Sequence, residues 1–191
     1  MGPSRGRKPW SRSARYTRWV ETLDAIAGLR VIRRYTPDPI DPALLRRITD
    51  AGRHAGSSKN LQRWAFITVT ERPTLERLAM VGPWAGHLAG AAAAIALVTP
   101  TMRSGDPLSI MFDIGRAAQN MVLAAWTLGI GSCPATVYEQ PLIRGILGLP
   151  EDRHCEFAIG LGHAARPEYL ARPPRAGGRL ALDDVLHDGR W

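Results

Sequence analysis

The chain has 191 residues, 45% hydrophobic and 22% charged, a composition that suits one domain with a sizeable core and excludes a disordered tail protein. It has no run of about 18 uncharged apolar residues, the length a membrane-spanning helix requires, and its two cysteines, Cys133 and Cys155, match neither a disulfide framework nor a zinc motif, so a reducing cytoplasm is the expected setting. The formal charge of +8 is carried largely by the N-terminus.

Residues 1–18 hold Arg5, Arg7, Lys8, Arg12, Arg15 and Arg18 and no acid; the 25 basic residues less these six leave 19 against 17 acids, or +2, in the body. The segment reads as a disordered basic extension, for which nucleic acid or anionic lipid would be sufficient partners by charge alone. It lacks the continuous apolar stretch of a secretory leader. The folded domain is expected over 19–191. Val20, Leu23 and Ile26 at helical spacing predict a helix over 19–28, and the prolines at 37 and 39 force an extended connection after it. Asp41 followed by Pro42 is a strong helix start, with the helix running through Leu44, Leu45, Ile48 and Ala51 to about Gly56. The β-forming run 64–70 predicts a strand, taken as the central one. A short helix follows over 73–80, then a buried strand over 91–98. Pro107 opens a long helix to Leu128, apolar at Met111, Ile114, Ala118, Met121, Val122 and Ala125 and punctuated by Asp113 and Arg116. A helix over 140–147, a strand over 155–161 and a brief helical turn over 182–186 complete the chain. Long helices with three or so separated strands give an α+β domain.

Four stretches carry candidate chemistry. Arg30, Arg33 and Arg34 place three guanidinium groups in five positions; in an extended segment Arg30 and Arg34 share one face and Arg33 takes the other. Their planar forks suit phosphate or a carbonyl edge, and a solvated basic corner explains them equally well. The segment 55–64 offers Ser57, Ser58, Asn60 and Gln62, donors and acceptors able to read a heterocycle or to make an ordinary polar loop. The segment 129–136, with Gly129, Gly131 and Pro134, reads as an irregular path of exposed amides suited to a planar ligand; it does not have the spacing of a dinucleotide fingerprint. The last is a flexible basic patch over 175–179. The histidines are scattered without metal-binding spacing, and Cys133 reads as a small packed residue before proline more than as a nucleophile.

In order, these blocks resemble the FMN-dependent nitroreductase family, over about 19–191. Arg30-Val31-Ile32-Arg33-Arg34-Tyr35 is similar to the family's opening Arg-x-x-Arg-Arg-aromatic block. The stretch from Ala55 to Trp64 is similar to its Ala-Pro-Ser-x-x-Asn-x-Gln-Pro-Trp loop. Gly129 to Pro134 with Leu147-Gly148-Leu149-Pro150, then Gly160-Leu161-Gly162-His163 and 179–191, resemble its later blocks. The resemblance implies a nitroreductase-like fold, a central mixed β-sheet flanked by helices in an intertwined homodimer with flavins at the subunit interface.

It also implies an FMN oxidoreductase taking hydride from NADPH or NADH to a small-molecule acceptor, a nitroaromatic, quinone or enone. Arg30, Arg33 and Arg34 would hold the FMN phosphate or the pyrimidine edge, and Ser57, Ser58, Asn60 and Gln62 the ribityl chain and ring. Pro134, Ala135 and Thr136 would lie along the isoalloxazine, a backbone amide near Thr136 facing N5, and Arg179 would bind phosphate. No metal, specific nucleic acid or membrane partner is implied. Gly56 and Arg63 stand where the family has proline, Val31 where many members have serine, Gly177 where some have lysine, and Ala181 where the family has proline. The same fold also serves flavin-dependent oxidases of peptide-derived substrates, of cyclodipeptide or azoline type, and non-catalytic flavin-binding relatives. The stretches 80–90 and 100–112 are expected to border the acceptor.

Overall fold

The computed structural model describes residues 21–101, 107–173 and 178–191; the basic N-terminal segment and the patch at 175 lie outside them. Five helices and four strands follow in the order α1 (Thr22–Gly28), α2 (Pro42–Arg53), β1 (Ala65–Val69), α3 (Arg72–Leu78), β2 (Ala93–Pro100), α4 (Pro107–Thr127), β3 (Gly131–Thr136), α5 (Gln140–Leu147) and β4 (Arg153–Gly162), with short 3₁₀ turns between several of them. The start of α2 follows the rule read from sequence: Pro42 occupies the first turn, where its missing N–H is no loss, and the Asp41 carboxylate accepts from the Ala43 amide at 2.8 Å. At the end of α5 the chain turns left-handed at Gly148 (φ 64°), a conformation that glycine adopts without steric penalty.

The sheet order is β1-β2-β4-β3, and every ladder is antiparallel; parallel pairing is confined to one isolated bridge, Val31–Ser132. Two sequence expectations are corrected here. The strand at 65–69 lies at an edge, and the central positions belong to β2 and β4. The stretch expected to be an irregular path is an edge strand, β3, with Gly131, Ser132 and Cys133 buried; glycine and proline argue against a strand by propensity, but the edge position tolerates proline and Gly131 sits where only a hydrogen fits. The apolar face of α4 packs within the chain: Ile114, Met121, Val122 and Ala125 are covered by its own sheet and α2.

The core lies in two layers on either side of the sheet. On one side Ala93, Ile95 and Leu97 of β2 meet α2 (Leu44, Leu45, Ile48) and α4. On the other side Ala94, Ala96 and Val98 meet Leu75 and Leu78 of α3 and Ile143 of α5. A strand covered on both faces must be apolar without alternation, which is why β2 reads as a continuous apolar run. Among the described residues no helix is long and apolar enough to cross a membrane, and no cluster of three or more His, Cys, Asp or Glu could hold a metal ion.

Candidate flavin site

The basic block runs extended beside β3. Val31 and Tyr35 are its two bridge points, to Ser132 and Ala164, and the Ile32 amide donates to the Ser132 carbonyl at 2.9 Å. Ile32 is buried against Gly131, where a Cβ would stand 2.8 Å from the Ile32 side chain. The Tyr35 hydroxyl donates to the carbonyls of Ile32 (2.7 Å) and Gly160 (3.2 Å), and burial raises its pKa far above the usual phenol value. With Ile32 and Tyr35 fixed inward, Arg33 and Arg34 are left exposed. Arg33 lies beside the Cys133 thiol; burial pushes that thiol's pKa up, and the neighbouring guanidinium only partly opposes it.

A cavity of about 460 Å³ opens between this block and the segment after β4, lined by Arg33, Arg34, Arg166, Tyr169 and Arg172. The guanidinium groups of Arg166 and Arg172 lie 5.5 and 5.1 Å from the centre of the Tyr169 ring, and Arg166 also donates to the Tyr169 hydroxyl at 2.9 Å. Among the described residues none of the four arginines is ion-paired with a carboxylate. Four fork-shaped cations without anions make an environment for phosphate or carboxylate. Arg30 differs from them. Its guanidinium donates to the carbonyls of Ala27, Leu29 and Arg172, each at 2.8 Å, closing the end of α1 as a cation does at a helix C-terminus.

Along β3, Pro134 is exposed, Ala135 buried and Thr136 half-buried. His87 braces the strand: its Nε2 lies 3.0 Å from the Cys133 carbonyl and its Nδ1 3.1 Å from the Trp84 carbonyl. The loop between α2 and β1 is the most strained part of the described chain, with Lys59, Asn60 and Gln62 all left-handed (φ 50°, 55° and 49°), a conformation costing an ordinary residue roughly 1–2 kcal/mol. Its supports are specific. The Ser58 amide donates to Oδ2 of buried Asp113 at 2.9 Å, the Gln62 amide to the Ser57 hydroxyl at 3.0 Å, and Arg63 to the Ser109 hydroxyl at 2.5 Å. Gly56 leaves room for Arg116, which stacks over Phe112 at 5.5 Å.

These candidates do not form one cluster within a chain. Arg30, Arg33, Arg34 and Pro134 to Thr136 border β3, whereas Ser57, Ser58, Asn60 and Gln62 precede β1 at the opposite edge of the sheet. Helix α4 serves as a ruler between them. Asp113 holds Ser58, while Trp126 packs on Gly28 and donates to the Leu170 carbonyl at 3.1 Å; thirteen residues of helix separate these two contacts, about 20 Å. Arg179 stands in the exposed C-terminal segment and, among the described residues, donates to the carbonyl of Gly178.

The α+β frame, with helices on both faces of the sheet, matches a known architecture. The nitroreductase family model matches residues 26–82 and 80–163. This chain belongs to the nitroreductase family. A Methanothermobacter thermautotrophicus protein provisionally named NADH dehydrogenase/NAD(P)H nitroreductase is 31% identical over 179 residues, covering 90% of this chain and 88% of that one. The NADPH-flavin oxidoreductase of Vibrio harveyi is 28% identical over 188 residues, covering 89% of this chain and 74% of its own. The structure of the Vibrio harveyi NADPH:FMN oxidoreductase complexed with NAD+ superposes with a TM-score of 0.77 at 26% identity, covering 89% of this chain and 77% of that one.

In this nitroreductase four residues that the sequence did not mark as candidates border these candidate regions: Asp113, Arg166, Tyr169 and Arg172. Asp113 was visible only as a charge in an apolar helix. Arg166, Tyr169 and Arg172 recur every three residues around the 3₁₀ turn Pro167–Leu170, the spacing that brings side chains onto one face of a 3₁₀ helix.

Proposed function

We propose that this nitroreductase is an FMN-dependent oxidoreductase that carries hydride from NAD(P)H to a nitroaromatic, quinone or enone acceptor, and that it works as a homodimer with the flavin held between subunits. The observation that carries this reading is the division of the site. One edge of the chain supplies cations and the β3 backbone, and the other supplies a preorganised loop of hydroxyls and carboxamides, about 20 Å apart along α4. A two-fold dimer sets the same patch of each copy against its mate, so that the loop of one chain can complete the basic edge of the other, twice. The exposed apolar residues suit a second copy: Leu108 and Phe112 beside the loop, and Leu180, Leu182, Val185, Leu186 and Trp191 in a C-terminal segment that packs on little of its own chain.

The donor set fits FMN. A phosphate finds a cavity lined by four arginines, of which Arg33 also stands next to Cys133 at the start of the β3 segment. Bound FMN would supply the hydride chemistry. Arg33 would place positive charge against the electron-rich edge of the ring, favouring its reduced, anionic form. Pro134 to Thr136 would present backbone along the ring, with a backbone amide near Thr136 toward N5, and Ser57, Ser58, Asn60 and Gln62 of the second copy would orient ring and ribityl chain by hydrogen bonds. The names of the relatives, NADPH-flavin oxidoreductase and NAD(P)H nitroreductase, support the reductant. The test is spectroscopic and kinetic. Purified protein reconstituted with FMN should show a bound-flavin spectrum and oxidise NADH or NADPH faster when a nitroaromatic or quinone is added. Protein that takes up no FMN, or whose bound flavin neither nicotinamide reduces, contradicts the reading.

A further inference from the structure

Arg30 is anchored to the main chain through its Nε and Nη1 atoms. All three of its observed hydrogen bonds go to main-chain carbonyls, and one of them, Nε to the Arg172 carbonyl at 2.8 Å, joins residues far apart in the chain. That bond is one of several that pin the segment after β4. The Ala165 amide donates to the Arg34 carbonyl at 3.0 Å, and Trp126 Nε1 to the Leu170 carbonyl at 3.1 Å. Between these pins the 3₁₀ turn carries Tyr169, and Arg166 and Arg172, which flank the turn, lie against its ring and line the arginine cavity. Stacking on an aromatic ring fixes a guanidinium plane without consuming its donors, leaving the fork available for an anion.

We infer that Arg166 and Arg172, steadied on Tyr169, are the side chains that grip the FMN 5′-phosphate, and that Arg30 is a positioning residue acting through the Arg172 backbone. The inference rests on the flavin reading proposed above and changes the assignment within it. Among the described residues Arg179 donates to its neighbour's carbonyl, whereas Arg166 and Arg172 bring their cations to the cavity.

The phosphate is the only difference between FMN and riboflavin, so the ratio of their dissociation constants reads the grip on phosphate alone. Both are measured by quenching of flavin fluorescence on the full-length apo-protein at fixed salt, with the melting temperature of each variant as a folding control. The parent should prefer FMN. Arg166→Ala and Arg172→Ala should each reduce that preference about tenfold or more while leaving riboflavin affinity unchanged. Arg30→Ala should reduce it as well, with little further loss when combined with Arg172→Ala, because both changes act through one side chain. Inorganic phosphate should compete with FMN on the parent and only weakly on the Arg166→Ala, Arg172→Ala double variant. A preference unchanged in that double variant, or FMN and riboflavin affinities falling in parallel, overturns the assignment while leaving the flavin reading in place. A folded parent that binds neither flavin overturns both.

Discussion

Asp113→Ala tests the link between the long helix and the polar loop. Asp113 is 3% exposed, and its Oδ2 accepts the Ser58 amide at 2.9 Å. A hydrogen bond to a buried charge contributes about 1.5–3 kcal/mol. Its removal also leaves the Ser58 N–H without its partner in a loop whose Lys59, Asn60 and Gln62 already hold left-handed backbone. For a chain of this length, 1 kcal/mol corresponds to about 2–4 °C in Tm, so Asp113→Ala should lower Tm by roughly 3–12 °C. Asp113→Asn keeps an acceptor and loses the charge, so about half the effect should remain. If the loop is the second half of the flavin site, FMN affinity should fall in both variants beyond what lost folding explains, measured well below the melting transition. Thermal scans are run at one protein concentration, because Tm varies with concentration for an associating chain. An Asp113→Ala protein with the parent's Tm and FMN affinity would refute the claim that this carboxylate holds the loop.

Three further outcomes follow from local geometry. Gly131→Ala should destabilise by about 1–3 kcal/mol in urea unfolding, because its Cβ would meet Ile32 at 2.8 Å and push the basic block off β3; a neutral effect would place Ile32 elsewhere. Lys59→Gly should stabilise by about 0.5–1 kcal/mol by relieving a φ of 50°, and a loss of stability would contradict that backbone. The thiols should be inert: burial raises Cys133 and pushes Cys155 from 9.0 up to about 12, so iodoacetamide at pH 8 should label the native protein far more slowly than the unfolded chain. In the pH dependence the sign is fixed by those raised values. The folded thiol keeps its proton where the unfolded one releases it, so the contribution is complete below about pH 9 and declines from there toward about 12. Urea midpoints should fall over that window, and fall less in Cys155→Ala.

Much of the fold is legible in the chain because short-range rules dictate it. Asp41-Pro42 starts α2 where a cap and a proline must, and the double-sided burial of β2 produces its unbroken apolar run. What short-range rules miss is decided by neighbours distant in sequence. Gly131 to Thr136 has poor strand propensity and becomes a strand because β4 offers it an edge and Ile32 needs a residue without a side chain beside it. The apolar face of α4 looks the same whether the chain's own sheet or a second subunit covers it. At the site, Arg33 and the Ser57–Gln62 loop are legible as polar groups in unusual density. The partnering of Arg30 with the Arg172 carbonyl is not, since a guanidinium spent on backbone carbonyls and one left open for phosphate are identical in sequence.

The division of the site between two copies is tested most directly by complementation. Arg33→Ala damages the basic edge and Gln62→Ala the loop, and each variant alone should bind FMN weakly at every site. When the two chains are co-expressed, half the dimers formed at random should be mixed, and each mixed dimer should carry one site with both faults and one with neither. About a quarter of all sites should then bind FMN with the parent's affinity, seen as a tight phase in a flavin titration of the mixture and absent from both variants alone. A mixture that titrates as the plain average of the two variants, with no tight phase, contradicts the claim.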